Sequence, residues 1–580
     1  DTLSGTAGKM FYAYTSGDGN DNITGFTASD TLVIDGGTYS TTSSGDDVIV
    51  TVGDGNIILT GASTLSPNIQ GTLAGGEDTN TTIGSAITND VDNTLVSGTA
   101  GDDNITNSGS NVTINGSTGN DTITNTGSNV VYDYSKGDGN DVINGFGASD
   151  TLYVESAKLS HTVSGNDLIV SVGDNTVILK DAATLDNPNI TGNYYSEARA
   201  FVTNLQQKTD LGYPVIAALL FHPTEYHGFE TLPSDYYESS ETLTINSADG
   251  FELTGYHYTP ENSNDKWAVI IHGYGHNHNH MNGFAEMYLS NGYNVLMVDQ
   301  RAAGASEGEW LTMGAGEAKD IALWTQKIAE LNPNAKITLH GVSMGAATAM
   351  LAAANSQITN VTSLVEDCGY TTVMNLIDLA KDMATQLADA EFVDVVNDMS
   401  ASLTGYPLTA AAPIDSIGKA TVPSMFITGD SDTVVTMSNL ESLYSASGAT
   451  VKEIFTVAGA THGLSALTDS VGYANTVFRF NAEAAGEGCT TSNTVDAISL
   501  TGTKYNDTIT NTGNEVTISA VAGNDTIINT DNNKTYLDGG VGDDLISNSL
   551  NYYVVTLASG QESLVNEYSD TTIVAGAGND

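Results

Sequence analysis

A short motif recurs at nearly constant spacing near both ends of this chain, and this periodicity limits the possible folds more than any other feature. The motif ends in Asn-Asp or Asp-Asp and is followed, after one residue, by Ile. Its last aspartates come in nearly equal steps, at Asp103, Asp121 and Asp141 in the first part of the chain and at Asp507, Asp525 and Asp544 in the last part. A fixed period predicts a solenoid, in which each coil buries its apolar side chains against neighbouring coils.

A longer unit also repeats. Residues 17–60 match residues 137–180 at a constant offset. The last motif, Gly-Ala-Gly-Asn-Asp580, lies two further periods beyond Asp544. Because the sequence starts at Asp1 without Met and stops inside a repeat, we expect it to be a piece of a longer protein, whose export route it does not show.

The residue types of the repeat suit a metal-bound turn. Gly permits positive φ in a tight turn, and Asp supplies the hard oxygen ligands that Ca²⁺ prefers. Gly539 to Ile546 matches in full the haemolysin-type (RTX) nonapeptide Gly-Gly-x-Gly-x-Asp-x-apolar-x, and the other repeats resemble it in degenerate form. This resemblance implies parallel β-rolls with structural calcium, and the expected ligands are Asp103, Asp121, Asp141, Asp525 and Asp544. The alternative is a metal-free solenoid in which these residues cap turns.

The repeat length adds a geometric expectation. The period is twice the length of a nonapeptide, and the intervening halves, such as Thr-Asn-Thr-Gly-Ser-Asn-Val-Val-Tyr, lack the Gly-x-Asp core. The aspartates should therefore stack along one edge of the roll, with ladders of Asn and Thr on the other edge.

The net charge of the chain argues against two classes of binding partner. The net charge is −53, divided as −20 over residues 1–195, −22 over 196–486 and −11 over 487–580. Such a chain lacks the basic face that nucleic acids or anionic membranes require, and no apolar run reaches the roughly 18 residues of a membrane-spanning helix. Two cysteines, Cys368 and Cys489, cannot form a disulfide framework, so we expect unpaired thiols.

The middle of the chain has a different pattern. A hairpin is predicted over 240–260, an apolar strand over Trp267–Ile271, and helices over 281–291 and 316–331. Continuous apolar strands that alternate with helices predict an α/β fold, with a mainly parallel sheet covered on both faces.

One turn in this region has the pattern of a serine nucleophile. Gly341-Val-Ser343-Met-Gly345 follows the strand Lys-Ile-Thr-Leu-His340 and precedes an Ala-rich helix. A nucleophile on such a strand-to-helix turn needs small neighbours for clearance. Asp430 and Asp432 both follow one later strand-like run and His462 follows another, so the order Ser, Asp, His is that of α/β-hydrolases.

Residues 240–486 resemble α/β-hydrolases of the serine esterase and peptidase type. In Gly429-Asp430-Ser-Asp432 the resemblance assigns the second aspartate to the histidine, while Asp430 would stabilise the loop. The oxyanion hole needs two backbone N–H groups. Met344 follows the nucleophile, and Tyr274 lies in the family's His-Gly loop. Asp299–Gly308 resembles the family's Asp-x-Arg-Gly-x-Gly-x-Ser-x-Gly segment, with Ala at the first Gly position. Met313–Trp324 and Glu366–Thr371 are similar to a Bacillus-type branch of extracytoplasmic or membrane-associated hydrolases.

Three other features leave alternatives open. His276, His278 and His280 alternate with Asn and could bind a transition metal or simply shape the mouth of the site. Residues 371–412 have apolar residues at helical spacing and could form a cap over the site or ordinary sheet-covering helices. Residues 197–222 form a second helix-like stretch, which could pack beside the cap.

These features predict a domain order. A degenerate repeat unit over 1–72 and β-roll repeats over 73–195 precede an α/β-hydrolase domain with a helical cap over 196–486, and further repeats follow over 487–580. We expect a secreted or cell-surface serine hydrolase that cleaves small carboxylic esters, with structural Ca²⁺ and no catalytic cofactor. The alternatives are a peptidase or amidase of the same fold, acting on short peptides, and a surface adhesion or matrix protein with an accessory hydrolase domain.

Overall fold

In the computed structural model of the protein, the chain divides into two compact units, residues 1–193 and 194–580. The structure describes residues 2–4, 10–15, 17–27, 30–63, 68–73, 84–185, 187–208, 232–262, 264–379, 389–530, 535–548, 553–557, 560, 563–566 and 571–575. The predicted motif at Asp580 lies outside these residues.

The first unit begins with a seven-stranded sheet in which β1-β3-β6-β5-β4-β2 are successive neighbours and β7 pairs with β4. These strands are β1 (Thr2–Ser4), β2 (Phe11–Thr15), β3 (Asp21–Thr24), β4 (Thr31–Ser44), β5 (Asp47–Val52), β6 (Gly55–Thr60) and β7 (Asn68–Leu73). The antiparallel strands β5 and β6 contribute Val50, Val52, Ile57 and Leu59 to a small apolar core.

The rest of this unit consists of two sheets that share one buried core. One has the order β16-β17-β18-β14-β12-β10-β8 and the other β19-β15-β13-β11-β9. Their strands are β8 (Ala86–Asn89), β9 (Leu95–Ser97), β10 (Asn104–Asn107), β11 (Thr113–Asn115), β12 (Thr122–Asn125), β13 (Val131–Ser135), β14 (Asp141–Asn144), β15 (Thr151–Glu155), β16 (Leu159–Ser164), β17 (Asp167–Val172), β18 (Asn175–Leu179) and β19 (Asn189–Gly192).

The predicted period is visible in the strand register. In the parallel strands β8, β10 and β12, Ile87 lies beside Ile105 and Ile105 beside Ile123. Identical apolar side chains therefore stack from one coil to the next, which is compatible with the predicted β-roll. The longer repeat is confirmed as well, since the antiparallel pair β17–β18 is the counterpart of the pair β5–β6 at the offset seen in the sequence.

The predicted ladder of asparagine side chains is present at the end of the strands. Nδ2 of Asn107 donates to Oδ1 of Asn125 at 2.8 Å, and Nδ2 of Asn511 donates to Oδ1 of Asn529 at the same distance. Each buried amide donates a hydrogen bond to the asparagine of the next coil, so these polar groups stabilise the stacking of the coils.

The repeats at the end of the chain have the same plan. Their two parallel sheets have the orders β28-β30-β32-β34-β36 and β29-β31-β33-β35-β37. The strands are β28 (Thr490–Asn493), β29 (Ser499–Thr501), β30 (Thr508–Asn511), β31 (Thr517–Ser519), β32 (Thr526–Asn529), β33 (Tyr536–Asp538), β34 (Leu545–Asn548), β35 (Tyr553–Leu557), β36 (Ser563–Asn566) and β37 (Thr571–Ala575).

The middle region contains an eight-stranded sheet in the order β20-β21-β23-β22-β24-β25-β26-β27. Its strands are β20 (Ser239–Asn246), β21 (Glu252–Thr259), β22 (Lys266–Ile271), β23 (Asn294–Val298), β24 (Lys336–Val342), β25 (Val361–Asp367), β26 (Ser424–Gly429) and β27 (Lys452–Val457). Strand β21 is antiparallel to both neighbours, and the strands from β23 to β27 are parallel. This arrangement fits the predicted α/β-hydrolase fold.

Helices cover both faces of this sheet, as predicted. The helices described in the middle region are α1 (Asn193–Gln206), α2 (Asn282–Ser290), α3 (Glu317–Leu331), α4 (Met344–Ala353), α5 (Val373–Leu379), α6 (Ala390–Thr404), α7 (Pro413–Ser416), α8 (Met437–Ala446), α9 (Ser465–Thr468) and α10 (Ser470–Ala484). Helices α3, α4 and α8 share one apolar core with the sheet, and helices α2 and α10 share another.

The segment predicted as a cap packs at the end of the sheet that carries Ser343. Helices α1, α5 and α6 form a third apolar cluster with Tyr274 and Met344, separate from the two sheet cores. This packing favours a cap over sheet-covering helices. Helix α1 begins three residues before the predicted domain start at 196, and residues 209–222 and 380–388 of the predicted helical stretches lie outside the described residues.

Candidate active site

The nucleophile turn lies between β24, which ends at Val342, and α4, which begins at Met344. Ser343 between them has φ 57° and ψ −118°, a strained conformation for a residue with a side chain. A Cβ atom on Gly341 would lie 2.1 Å from the carbonyl oxygen of Gly345, and one on Gly345 would lie 2.1 Å from that of Ile271. A larger residue at either glycine would therefore clash with the backbone unless the turn moved.

Three side chains meet at the carboxyl edge of the sheet. Oγ of Ser343 lies 2.8 Å from Nε2 of His462, and Nδ1 of His462 lies 2.8 Å from Oδ2 of Asp432. The carboxylate of Asp432 and the ring of His462 are buried. The histidine is thus held with one nitrogen facing a hydroxyl and the other facing a carboxylate, the geometry of a general base for a serine.

The two competing aspartates have different environments. Oδ1 of Asp432 accepts the backbone N–H groups of Val434 and Val435 at 2.8 and 2.9 Å, which leaves Oδ2 for His462. Oδ1 of Asp430 accepts the N–H of Gly459 at 2.7 Å. The structure therefore places Asp432 at the histidine and Asp430 at the loop that follows β27.

The predicted oxyanion loop lies beside the nucleophile. A Cβ atom on Gly273 would lie 3.5 Å from Cβ of Ser343. The loop is held by His272, whose Nε2 accepts the backbone N–H of Gln300 at 3.1 Å, while the Gln300 side chain donates to the His272 carbonyl at 2.7 Å. Complete burial lowers the pKa of His272 to about 4, so this ring is neutral and can accept.

The residues expected to donate the oxyanion N–H groups are fixed by packing. Met344 is the first residue of α4, where backbone N–H groups point out of the helix end. The side chain of Tyr274 is buried, and its hydroxyl donates to the carbonyl of Leu205 near the end of α1. Helix α1 thereby braces the oxyanion loop.

The three alternating histidines are separated by their contacts. His276 stacks on His280 with ring centroids 4.4 Å apart, whereas Nδ1 of His278 lies 2.8 Å from Oδ1 of the buried Asp299. Burial lowers the pKa of His276 to about 3. Within the described part of the chain these histidines do not form a group of three metal-type ligands, so the structure favours the polar-loop interpretation.

Cys368 lies nearer to the catalytic side chains than its sequence context suggests. Its Sγ atom, a carboxylate oxygen of Asp432 and a ring nitrogen of His462 all lie within 4.8 Å of one another. The thiol is 1% exposed, and burial raises its pKa well above the usual value. A protonated, inaccessible thiol is not a nucleophile, which agrees with the predicted structural role. Cys489 is also free and buried.

Other polar groups near the site were missed in the sequence analysis. Asp367, Tyr473 and His340 are fully buried and joined by hydrogen bonds. The available signal was polarity inside apolar elements, since His340 interrupts β24 and Asp367 ends β25. A polar side chain buried in a strand requires a hydrogen-bond partner, so a polar residue in an apolar run indicates a buried polar contact.

The aspartates of the repeats were tested for their fit to a cation. In three coils one carboxylate oxygen of the repeat aspartate, Oδ2, is buried and has no hydrogen-bond partner among the described residues. These aspartates are Asp121, Asp525 and Asp544. The other oxygen of each carboxylate, Oδ1, accepts a backbone N–H of the preceding coil at 2.7 to 2.9 Å. Burial and neighbouring carboxylates raise the pKa of Asp121 and Asp525 to about 7. These oxygens require a proton or a cation.

Asp141 has a related position. Its Oδ1 accepts the N–H of Asp121 at 2.9 Å, and burial raises its pKa to about 7. Among the described residues, the repeat carboxylates do not form a group of three ligand atoms within 4.8 Å of one another, so calcium at these positions stays a prediction.

Asp103 and its counterpart Asp507 are placed differently. Oδ2 of Asp103 accepts the backbone N–H of Thr99, and its Oδ1 accepts the Thr99 hydroxyl at 2.9 Å. Thr503 makes the same two bonds to Asp507. Both oxygens of these aspartates are occupied by protein donors, which is the turn-capping alternative.

In three other coils, the residue four positions before the aspartate does not make the pair of hydrogen bonds that Thr99 and Thr503 make. Ser117, Val521 and Gly540, each four residues before the aspartate, have φ angles of 68°, 78° and 86°. The N–H of Ser117 donates instead to Oδ1 of Asn115, and that of Gly540 to Oδ1 of Asp538, so neither donates to the aspartate four residues later.

Comparisons with known proteins agree with the chemistry of the site. Residues 262–369 match the serine aminopeptidase S33 family. The chain is 26% identical over 256 residues to the uncharacterised protein YqkD of Bacillus subtilis, which covers 42% of this chain and 82% of the relative.

Solved structures of hydrolases share part of this arrangement. An esterase of Pyrococcus furiosus is 21% identical, covers 43% of this chain and 93% of its own, and has a TM-score of 0.35. An esterase of Exiguobacterium antarcticum is 17% identical, with coverages of 41% and 98% and a TM-score of 0.31.

No helix in the described residues is long and apolar enough to cross a membrane. The strand order, the strained serine turn and the family match over residues 262–369 together identify the middle region as an α/β-hydrolase fold and the protein as a serine hydrolase.

Proposed function

We propose that the protein is a secreted or cell-surface carboxylesterase that acts through Ser343, His462 and Asp432. The observation that carries this proposal is the continuous hydrogen-bonded series from the Ser343 hydroxyl through the His462 ring to the Asp432 carboxylate, with both contacts at 2.8 Å. Tyr274 and Met344 are the proposed oxyanion donors.

The geometry supports a two-step mechanism. Oγ of Ser343 attacks the acyl carbon while Nε2 of His462 takes its proton, and Asp432 stabilises the imidazolium that forms. The oxyanion faces the N–H groups of Tyr274 and Met344. Collapse breaks the ester C–O bond, and the proton on Nε2 passes to the leaving alcohol. Water then attacks the acyl carbon while Nε2 of His462 takes its proton, and the bond to Oγ of Ser343 breaks as Oγ recovers that proton and the carboxylic acid leaves.

The choice of esters is supported by the apolar cluster beside the site. Tyr274 and Met344 pack against cap residues that include Val373, Leu376 and Phe392. Apolar surroundings suit a hydrophobic acyl group and disfavour the uncompensated charge of a peptide N-terminus. The match to a serine aminopeptidase family favours a peptidase as the second candidate.

The two candidates can be separated by substrate. The experiment compares kcat/KM for p-nitrophenyl esters of increasing acyl length with that for aminoacyl p-nitroanilides. We expect kcat/KM for the esters to rise about fourfold with each added acyl methylene, because apolar burial contributes about 0.8 kcal/mol per methylene, and we expect the anilides to be cleaved no faster than in the S343A variant. The S343A variant is the control for spontaneous hydrolysis. Faster cleavage of the anilides would establish the peptidase instead.

Calcium in the repeats is part of the proposal, with Asp121, Asp141, Asp525 and Asp544 as ligands. Bound Ca²⁺ would neutralise buried carboxylates and so stabilise the coils, and it has no role in the chemical step. The acidic repeats support an extracellular location, where millimolar Ca²⁺ is available. If the repeats themselves attach the protein to a surface or matrix, the hydrolase would act there.

A further inference from the structure

A series of buried polar groups extends through the α/β domain and ends beside the proposed catalytic residues. Its members, each at most 3% exposed, are Thr338, Ser363, Asn481, Tyr288, His340, Tyr473 and Asp367. The successive contacts are 2.9, 2.9, 3.4, 2.9, 3.0 and 3.0 Å long. None of these side chains takes part in the proposed chemical steps, so their burial needs another explanation.

The direction of the hydrogen bonds follows from one amide. Oδ1 of Asn481 accepts the hydroxyl of Ser363, so its Nδ2 faces Tyr288 and donates to the phenol oxygen. The proton of Tyr288 is then directed to Nδ1 of His340.

His340 transmits this direction to the carboxylate. Burial lowers the pKa of His340 to about 3, so the ring is neutral and carries one proton. Because Nδ1 accepts from Tyr288, that proton lies on Nε2 and is donated to the oxygen of Tyr473. The hydroxyl of Tyr473 donates to Oδ2 of Asp367. Every bond from Ser363 onward therefore points toward Asp367.

The other oxygen of Asp367 also accepts. Oδ1 receives the hydroxyl of Ser465 at 3.0 Å. A carboxylate that accepts at both oxygens is suited to its ionised form. Burial raises the pKa of Asp367 to about 7, while the bonds from Tyr473 and Ser465 act in the opposite direction.

Asp367 connects the nucleophile with the base. Its backbone carbonyl accepts the N–H of Ser343 at 2.8 Å. Its carboxylate holds Ser465, which begins α9 three residues after His462. The charged or titratable groups that face Asp367 are His462 and Asp432 from their loops, Tyr473 from α10, and Glu366 and Cys368 beside it in sequence.

We propose that Asp367 is a positioning residue that fixes Ser343 relative to His462 and whose negative charge favours the imidazolium formed during acylation. The proposal rests on the proposed roles of Ser343 and His462. The proposal makes two predictions that can be measured separately. Loss of a hydrogen bond to Asp367 should lower kcat, and loss of its charge should change the pH dependence of kcat/KM.

The test uses the full chain and p-nitrophenyl acetate, with kcat and KM measured from about pH 5 to about pH 9. Asp367→Asn removes the charge, Tyr473→Phe removes one hydrogen bond, and Thr325→Val is the control. The hydroxyl of Thr325, buried in α3, donates to the carbonyl of Ala322 and accepts the N–H of Thr359, so the control also loses buried hydrogen bonds but lies outside the series.

Asp367→Asn removes a group whose pKa burial raises to about 7 and whose anion, once formed, favours the imidazolium. The acidic limb of kcat/KM should shift to lower pH by about 0.5 to 1 unit, and kcat should fall by about 10- to 100-fold with little change in KM. Tyr473→Phe should lower kcat by about 5- to 10-fold. Thr325→Val should alter neither the limb nor kcat by more than about twofold.

The proposal is overturned if the limb of Asp367→Asn coincides with that of the unchanged protein, or if Thr325→Val moves it equally. If Asp367→Asn does not fold, Tyr473→Phe and Ser465→Ala decide, and activity equal to that of Thr325→Val overturns the proposal. Fluorophosphonate labelling of the unchanged protein is measured alongside. Lack of labelling at Ser343 would instead contradict the proposed function.

Discussion

Oγ of Ser343 lies 2.8 Å from Nε2 of His462, although 119 residues separate them in the sequence. Ser343 follows β24 and His462 follows β27, and two further strands lie between these in the sheet. The contact forms because the carboxyl ends of parallel strands share one edge of the sheet, where loops from distant parts of the chain converge.

The first prediction concerns the two aspartates of the loop after β26. Asp432→Asn should lower kcat by about 10³- to 10⁴-fold, because the amide cannot orient and stabilise the protonated ring as a carboxylate does. Asp430→Asn should chiefly lower the melting temperature, since it weakens the bond to the N–H of Gly459. Steady-state kinetics and thermal unfolding of both variants measure the difference. A larger kinetic loss in Asp430→Asn would show that the acid is assigned to the wrong residue.

The second prediction tests the steric requirement of the nucleophile turn. Gly345→Ala would place a methyl group 2.1 Å from the carbonyl oxygen of Ile271, so the turn must shift. We expect at least about a 100-fold loss of kcat, since small displacements of reacting groups are costly. Gly283→Ala in α2 is the matched control, because its added methyl group meets nothing within 4 Å. That variant should retain activity and unfold at an equal or slightly higher temperature.

The third prediction is the pH dependence of the repeats without calcium. Burial raises the pKa of Asp121, Asp141 and Asp525 to about 7, above the value of about 3.9 expected in an unfolded chain. Between these values the folded repeats bind more protons than the unfolded ones. Their stability in chelator should therefore fall as pH rises from about 4 to about 7.

This dependence can be followed by hydrogen exchange of peptides from 104–125 and 508–529. Millimolar Ca²⁺ should restore protection at about pH 7.5 and change it little at about pH 4.5, where the carboxyl groups are protonated. Protection in chelator that rises with pH would contradict the assignment. Because the catalytic residues lie outside the repeats, kcat should change by less than about twofold on chelation.

The fourth prediction distinguishes two aspartates of the same ladder. Asp525 has a buried oxygen without a partner among the described residues, whereas both oxygens of Asp507 are bound by Thr503. Asp525→Asn should reduce the protection that Ca²⁺ adds to residues 508–529. Asp507→Asn should lower protection equally with and without Ca²⁺. An equal loss of the calcium effect in both variants would mean that the Thr503 clasp does not exclude a cation.

Local patterns were sufficient to predict much of the fold. The apolar runs of β22 and β24, the glycines around Ser343 and the period of the repeats each depend on nearby residues, and the structure contains the corresponding strands, turn and parallel stacks. The expected places of Asp432 and His462 also followed from strand ends. The start of α1 at Asn193 was missed because the helix continues directly from the last strand of the repeats.

Long-range polar contacts could not be predicted in this way. Tyr473 and Asp367 are 106 residues apart, and neither lies in a motif that indicates the other. Similarly, Thr99 binds Asp103 only because its backbone N–H points toward the carboxylate, whereas the equivalent Ser117 has a φ of 68°. Such differences depend on how coils stack, not on the local residue pattern.

The central claim is that Ser343 is the nucleophile activated by His462. The most direct test is the rate at which a fluorophosphonate probe labels the full chain, with the modified residue identified by mass spectrometry. We expect one adduct, on Ser343, with S343A unlabelled and His462→Ala labelled at least about 10³-fold more slowly. Stable modification of another serine, or labelling that persists in S343A, would contradict the account.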